Sequence, residues 1–302
     1  MIKRFIFTYP IEGYEDTLSE DLRAALTKSG YETFSCTYSE LKNLSLRIST
    51  SVQDVLYVVS LGFVLPETAI KNFPGIKIML GGDDPQALDY KLFSRFKRLV
   101  TQKRHIFGSY YGNLNNAKVF DLVLTPSLRA FKRYEANKIE VLYFPYWARK
   151  KSNLIKESTI KLGMSSVMNL TANREVYINL LTKNRNINFI NYHGINIKKI
   201  IQIYSQSKNV FNVCTNNEVN IRYFEALSCG CPVYSNTEGH LEELQILGIS
   251  NYIQSWSAKK DLEKIHSNDL ITLTPNDRMN LIKMVNSKHS VQQRMDQLLE
   301  YV

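Results

Sequence analysis

The sequence predicts an α/β protein built from two doubly wound domains. Short runs rich in β-branched and aromatic residues alternate with amphipathic stretches, the pattern of parallel strands covered by helices. Some runs, such as DVLYVVSLGF (54–63), are apolar throughout, as expected of strands buried on both faces. The alternation stops once, at the polar and basic ARKKSNLIKESTI (148–160), and then resumes, which divides the 302 residues into two series.

In the first series, IKRFIFTYP (2–10) reads as a strand with Gly13 in the loop beyond it. Thr17–Ser29 reads as a helix stopped by Gly30. YETFSCTY (31–38) and 54–63 follow as strands, then a short proline-led helix, PETAIKNF. GIKIMLGGDDP (75–85) is a strand running into a glycine turn. Asp89–Val100 carries Leu92, Phe93, Phe96, Leu99 and Val100 on one helical face. VFDLVLTPS (119–127), the helix Leu128–Ala136 and IEVLYFPYW (139–147) complete the series. The second contains strands at 160–166, 187–194, 209–215 and 231–236, with helices at 173–182, 197–205, 219–229 and 240–248. Helices near 275–287 and 290–301 close the chain.

Composition excludes several classes. The chain is 44% hydrophobic and 22% charged, the balance of a globular protein. No apolar run approaches the ~20 residues that span a bilayer. The start, MIKRFIFTYP, is too short in its apolar part for a signal peptide, so a cytoplasmic protein is expected. Cys36, Cys214, Cys229 and Cys231 form no C-x-x-C pair, and no histidines have metal-ligand spacing. They read as buried thiols, with no metal site expected. The net charge of +10 is spread along the chain, 21 basic against 15 acidic groups in 1–150 and 17 against 13 thereafter. Such a balance suits an anionic partner without choosing one. KLFSRFKRLVTQKR (91–104) holds six basic residues and no acid. It reads either as a solvated face or as a contact for anionic membrane or DNA phosphates.

The chemistry concentrates in NIRYFEALSCGCPVYSN (220–236). On a helix over 219–229, Glu218, Arg222 and Glu225 share one face, while Tyr223, Phe224, Ala226 and Leu227 face a sheet. Arg222 near the positive helix start can grip phosphate with its planar fork, and Glu225 one turn on can accept two ribose hydroxyls. The same spacing equally allows an Arg222–Glu225 ion pair on a solvated face.

Asn220, Arg222, Phe224, Glu225, Ala226, Leu227, Cys229, Gly230, Pro232 and Val233 match a motif of the form N-x-R-x-F-E-A-L-A-C-G-x-P-V. The stretch therefore resembles the donor-binding signature of GT-B glycosyltransferases, in particular the CgeB-like and group-1 families. Weaker similarity covers 121–147, 162–181 and 203–213. The resemblance implies two Rossmann-like domains with a cleft between them. Residues 1–150 form the acceptor side, 151–285 bind a nucleotide sugar, and 286–302 form a helix crossing back to the first domain. It implies Glu225 at the donor ribose and Arg222 near the phosphates. Arg174 is a further diphosphate candidate or equally a helix-surface charge, and Gly163 is expected in a turn where backbone approaches the ligand or the other domain. Group-1 enzymes often carry a glutamate eight positions before the one matching Glu225. Here that position is Asn217, with Glu218 beside it.

On the acceptor side, Asp83 and Asp84 end a buried strand and read as base candidates or as a helix N-cap ahead of Pro85. Glu12, in the loop after the first strand, is a second base candidate. His105, in the polar stretch KRHIFGSYYGN, is a sugar-contact or a packing residue. The expected activity is transfer of a sugar from a nucleotide sugar, without cofactor or metal, to a surface glycan or lipid-linked saccharide, with peripheral attachment at the inner membrane surface. The alternatives are a hydroxymethylated DNA base as acceptor, or a sugar-nucleotide-binding module or epimerase on the same fold.

Overall fold

The computed structural model describes residues 2, 4–12, 17–44, 48–81, 96–97, 99–101, 103–106, 108–149, 160–168, 172–214 and 218–302. Two compact units emerge, Met1–Pro145 with Arg294–Val302, and Tyr146–Gln293.

The first unit runs β1 (Arg4–Tyr9), α1 (Thr17–Lys28), β2 (Glu32–Thr37), α2 (Tyr38–Leu41), β3 (Asp54–Val59) and α3 (Glu67–Lys71). It continues through β4 (Ile76–Leu80), α4 (Gly108–Ala117), β5 (Leu122–Thr125), α5 (Leu128–Ala136) and β6 (Val141–Tyr143). The strands are parallel in the order β2-β1-β3-β4-β5-β6. Every residue of β1 and β3 is buried, as their largely apolar composition suits strands covered on both faces. Arg4 and Asp54 open these two strands and form a buried ion pair at 2.9 Å. Arg4 also donates to the Ser49 carbonyl, and Asp54 accepts the Ser51 N–H, so neither charge is left bare. Gly30 ends the α1 segment at φ 92°, the left-handed geometry expected of a stop.

The second unit runs β7 (Leu162–Val167), α6 (Ala172–Lys183), β8 (Phe189–Tyr192), α7 (Ile197–Ser205), β9 (Ser207–Asn212) and α8 (Ile221–Leu227). Then come β10 (Val233–Ser235), α9 (Leu241–Ile246), β11 (Ile253–Ser255), α10 (Lys259–Lys264) and α11 (Pro275–Lys288). Its sheet is also parallel, ordered β11-β10-β9-β7-β8. Met164, Leu181, Phe211, Tyr234, Trp256 and Leu262 lie in one core cluster. A last helix, α12 (Val291–Leu299), starts in this unit and passes to the first at Arg294. There Arg294 Nε donates to the Pro145 carbonyl and Gln297 Nε2 to the Tyr143 carbonyl, both at 2.9 Å.

The architecture is the expected α/β pair, with three local differences. The polar stretch containing His105 runs into a helix, α4, whose buried face is made of Asn113 and Asn116 beside Tyr110 and Ala117. The asparagines bind Ser60, Gly62, Phe63 and Gly81, so hydrogen bonds hold this face beside a short apolar line of Tyr110, Leu114 and Ala117. The signature helix is shorter than expected. Asn220 caps it, its side chain accepting the Arg222 N–H, and Glu218 therefore precedes the helix. β11 and α10 form from QSWSAKKDLEK, too short and too polar to stand out in the pattern.

Candidate functional site

Sheet order locates the functional edge of each unit. In the second unit β7 is flanked by β8 and β9, and the connections after β7 and β9 leave in opposite directions. A crevice at the carboxyl ends forms at such a switch point. β7 ends at Val167, and Arg174 lies in the first turn of α6, the helix that follows. Arg222 lies in the first turn of α8, the helix after β9.

Arg222 is half-buried, and its Nε donates to the Val167 carbonyl at 2.8 Å, which fixes the guanidinium at the end of β7. Arg174 is half-buried too, and its buried Nε–H has no hydrogen-bond partner among the described residues. Burial, and secondly the positive charge of Arg222, lower its pKa from the usual arginine range. A buried donor left unpaired costs about 1–3 kcal/mol, and like charges add to that. Two cations at a strand-end switch point, one with an unsatisfied donor, are an arrangement that an anion would relieve.

Glu225 is buried, 7% exposed, and stands 3.9 Å from Arg149 Nε. Tyr204 lies beneath this group. Burial raises its phenol pKa first, the Glu225 charge raises it further, and Arg222 opposes both. Tyr223, Phe224, Ala226 and Leu227 are fully buried, as the helical spacing predicts of the sheet-facing side. Arg222 and Glu225 thus have separate partners in Val167 and Arg149, and the segment is not a solvated face. Glu218 is buried at 4% exposure, and the neighbouring Val219 N–H reaches Glu243 Oε2 at 3.4 Å. Asn217, Asp83 and Asp84 lie outside the described residues.

Gly163 is not in a turn. It is the second residue of β7, at the end away from Val167, and a Cβ there would stand 2.8 Å from the Asn188 carbonyl. Its lack of a side chain lets the β8 end of the sheet approach, which is a packing role. His105 is half-buried, with Nε2 3.0 Å from Asn116 Oδ1, and it rests on Gly112, where a Cβ would lie 2.6 Å from the ring. The ring packs on α4. Glu12 is exposed and lines a cavity of about 800 Å³ in the first unit.

Sequence reasoning missed two members of the second-unit site. Arg149 sits in the stretch read as a linker, and nothing in ARKK distinguishes it from its basic neighbours. Tyr204 reads as an ordinary core position of α7. A third group joins them below the site. The Tyr223 hydroxyl donates to Ser235 Oγ at 2.9 Å and lies 2.8 Å from His240 Nε2. Burial lowers the His240 pKa to about 4, only partly offset by the Glu238 backbone. All four cysteines are buried thiols, none in a disulfide. Among the described residues no three His, Cys, Asp or Glu side chains cluster as metal ligands, and no helix is long and apolar enough to cross a membrane.

Residues 183–300, which include α8 and the signature motif, match the glycosyl transferase-like family. This region is similar to that family, and the fold is GT-B. The lipopolysaccharide outer core galactosyltransferase WaaB superposes with a TM-score of 0.58 at 9% identity, over 99% of this chain and 98% of that one. The pneumococcal O-GlcNAc transferase GtfA, solved with UDP and GlcNAc, gives 0.54 at 10% identity. The match covers 87% of this chain but 58% of that enzyme. A protein from Listeria monocytogenes assigned as a UDP-N-acetylglucosamine 2-epimerase gives 0.53 at 10% identity, over 99% and 95% of the two chains. No curated protein matches by sequence. The group-1 resemblance agrees with the match over 183–300, and the expected GT-B architecture with the fold these structures share. Nothing singles out the CgeB-like branch.

Proposed function

We propose that the protein transfers a sugar from a nucleotide-sugar donor to a hydroxyl acceptor. The observation that carries this reading is the Arg174–Arg222 pair, two cations at the carboxyl end of β7, with a buried Arg174 Nε–H that has no partner among the described residues. The donor diphosphate bridges the two guanidiniums, and Glu225, oriented by Arg149, accepts the ribose hydroxyls. In the reaction the acceptor oxygen bonds to the anomeric carbon and the bond from that carbon to the phosphate oxygen breaks. The nucleoside diphosphate leaves with the electron pair, and the arginines neutralise the charge that develops on it. The acceptor proton passes to a carboxylate, for which Glu12, Asp83 and Asp84 are the candidates. The acceptor class proposed is a surface glycan or a lipid-linked saccharide.

UDP is the first donor fragment to test, since GtfA was solved with it. Calorimetric titration of the full chain should show UDP binding that weakens about tenfold or more in Arg222→Ala and in Glu225→Ala, with the far-UV spectrum unchanged. A panel of nucleoside diphosphates that leaves the melting temperature unmoved would remove the donor assignment. The likeness to the Listeria protein sustains a second reading, a sugar-nucleotide epimerase. Release of an epimerised free sugar or sugar nucleotide without any acceptor would select it.

A further inference from the structure

The first unit holds a cavity whose lining has a chemistry of its own. It opens at the carboxyl ends of β1 and β2 and the segment after β3, and has a volume of about 800 Å³, within the range of small-ligand sites. Ile11, Phe63, Val64, Leu65 and Leu99 give it an apolar wall. Two tyrosines line it with their hydroxyls already engaged, Tyr9 with Glu20 at 2.6 Å and Tyr38 with the Val59 carbonyl at 2.8 Å. Of its charged residues, Glu40 is spent on the Thr37 N–H and hydroxyl. Lys42, Lys103 and Glu12 are exposed and form no ion pair among the described residues.

Lys103 is held in place at a cost. Its carbonyl accepts the Val64 N–H at 2.8 Å, the next residue bridges Phe63, and Lys103 itself adopts φ 51°. A lysine in the left-handed region is uncommon, because its side chain crowds the backbone there. Glycine or asparagine would fill this turn with less strain. The chain instead places an ammonium at the rim of this cavity, beside its apolar wall.

We infer that this cavity binds the acceptor as a phosphate-bearing amphiphile, its apolar body on the Phe63–Leu65 wall and its phosphate at Lys42 and Lys103. This rests on the transferase reading above and names the acceptor class. Glu12, on the same rim, then lies where a hydroxyl of the acceptor head group can lose its proton.

The test is direct binding of octyl phosphate, below its micellar concentration, to the full chain, with 1-octanol and inorganic phosphate in parallel. The expected order is octyl phosphate tightest. Lys42→Gln and Lys103→Asn should each weaken it about two- to fivefold, the worth of one exposed charge pair. Asparagine suits the left-handed turn, so Lys103→Asn should keep or raise the melting temperature while binding falls. Saturating UDP should not displace octyl phosphate. Equal binding of 1-octanol would show that charge is not read, and equal binding of inorganic phosphate that the apolar wall is not used. Displacement by UDP would place the phosphate at Arg174 and Arg222, and absence of binding would leave the cavity without this ligand. Each of these overturns the inference. UDP binding with loss in Arg222→Ala, measured alongside, keeps the donor assignment separate from that outcome.

Discussion

At the scale of single residues, the informative groups are those whose burial and charge are not balanced by the protein. Arg174 has a buried N–H without a partner among the described residues and a second cation near it. Arg174→Met should therefore leave stability unchanged or raise it by about 1 kcal/mol, while UDP affinity falls about tenfold. A destabilised variant with unaltered UDP affinity would make Arg174 a structural residue. Arg222 and Glu225 were legible in the sequence because their motif is dense. Their partners Val167 and Arg149 were not, because a backbone carbonyl has no sequence signature and one arginine among ARKK looks like the next. His105 and Gly163 attracted attention by residue type. In the structure each answers to packing, the imidazole on Gly112 and the glycine against the Asn188 carbonyl.

At the scale of elements, α8 is the hinge of the argument. Its exit depends on Gly230, at φ 68°, where a Cβ would stand 2.9 Å from the Arg278 carbonyl of α11. Gly230→Ala meets both a left-handed backbone and a rigid neighbour, so a loss of about 1–3 kcal/mol is expected in denaturant melts. A wild-type midpoint would show that the α8–α11 contact yields easily. The network joining α8 to β10 through Tyr223, Ser235 and His240 makes stability depend on pH. His240 has a folded pKa of about 4, below its unfolded value near 6.5. Between these values the unfolded chain binds a proton that the folded chain does not. Stability is full above pH 6.5 and falls by about 1.4 kcal/mol per unit as pH drops toward 4. Urea unfolding at pH 7 and pH 5 should differ by about 2 kcal/mol, and His240→Gln should flatten that interval. The strands β1 and β3 were readable because burial on both faces leaves a largely apolar run. α4 was not, because its inner face is asparagine bound to loop backbone.

At the scale of the whole molecule, two parallel sheets of the same winding carry different chemistry at their carboxyl edges. One presents arginines and a buried glutamate, the other a cavity with one apolar wall and lysines at its rim. Hydrogen exchange on the full chain should separate them. UDP should slow exchange most at 162–168, 174–178 and 218–227. Protection confined to 9–12, 35–42 and 63–66 would contradict the division of labour. The sequence by itself determined the two α/β series, the buried strands and the dense motif of α8, because these rest on local periodicity and on contiguous residues. Tertiary structure alone decided that Arg174 meets Arg222, that Glu225 faces Arg149, and that Lys42 and Lys103 rim one cavity. Those pairings join residues that parallel crossovers bring together from distant segments, and no local pattern in a chain encodes which strand ends become neighbours.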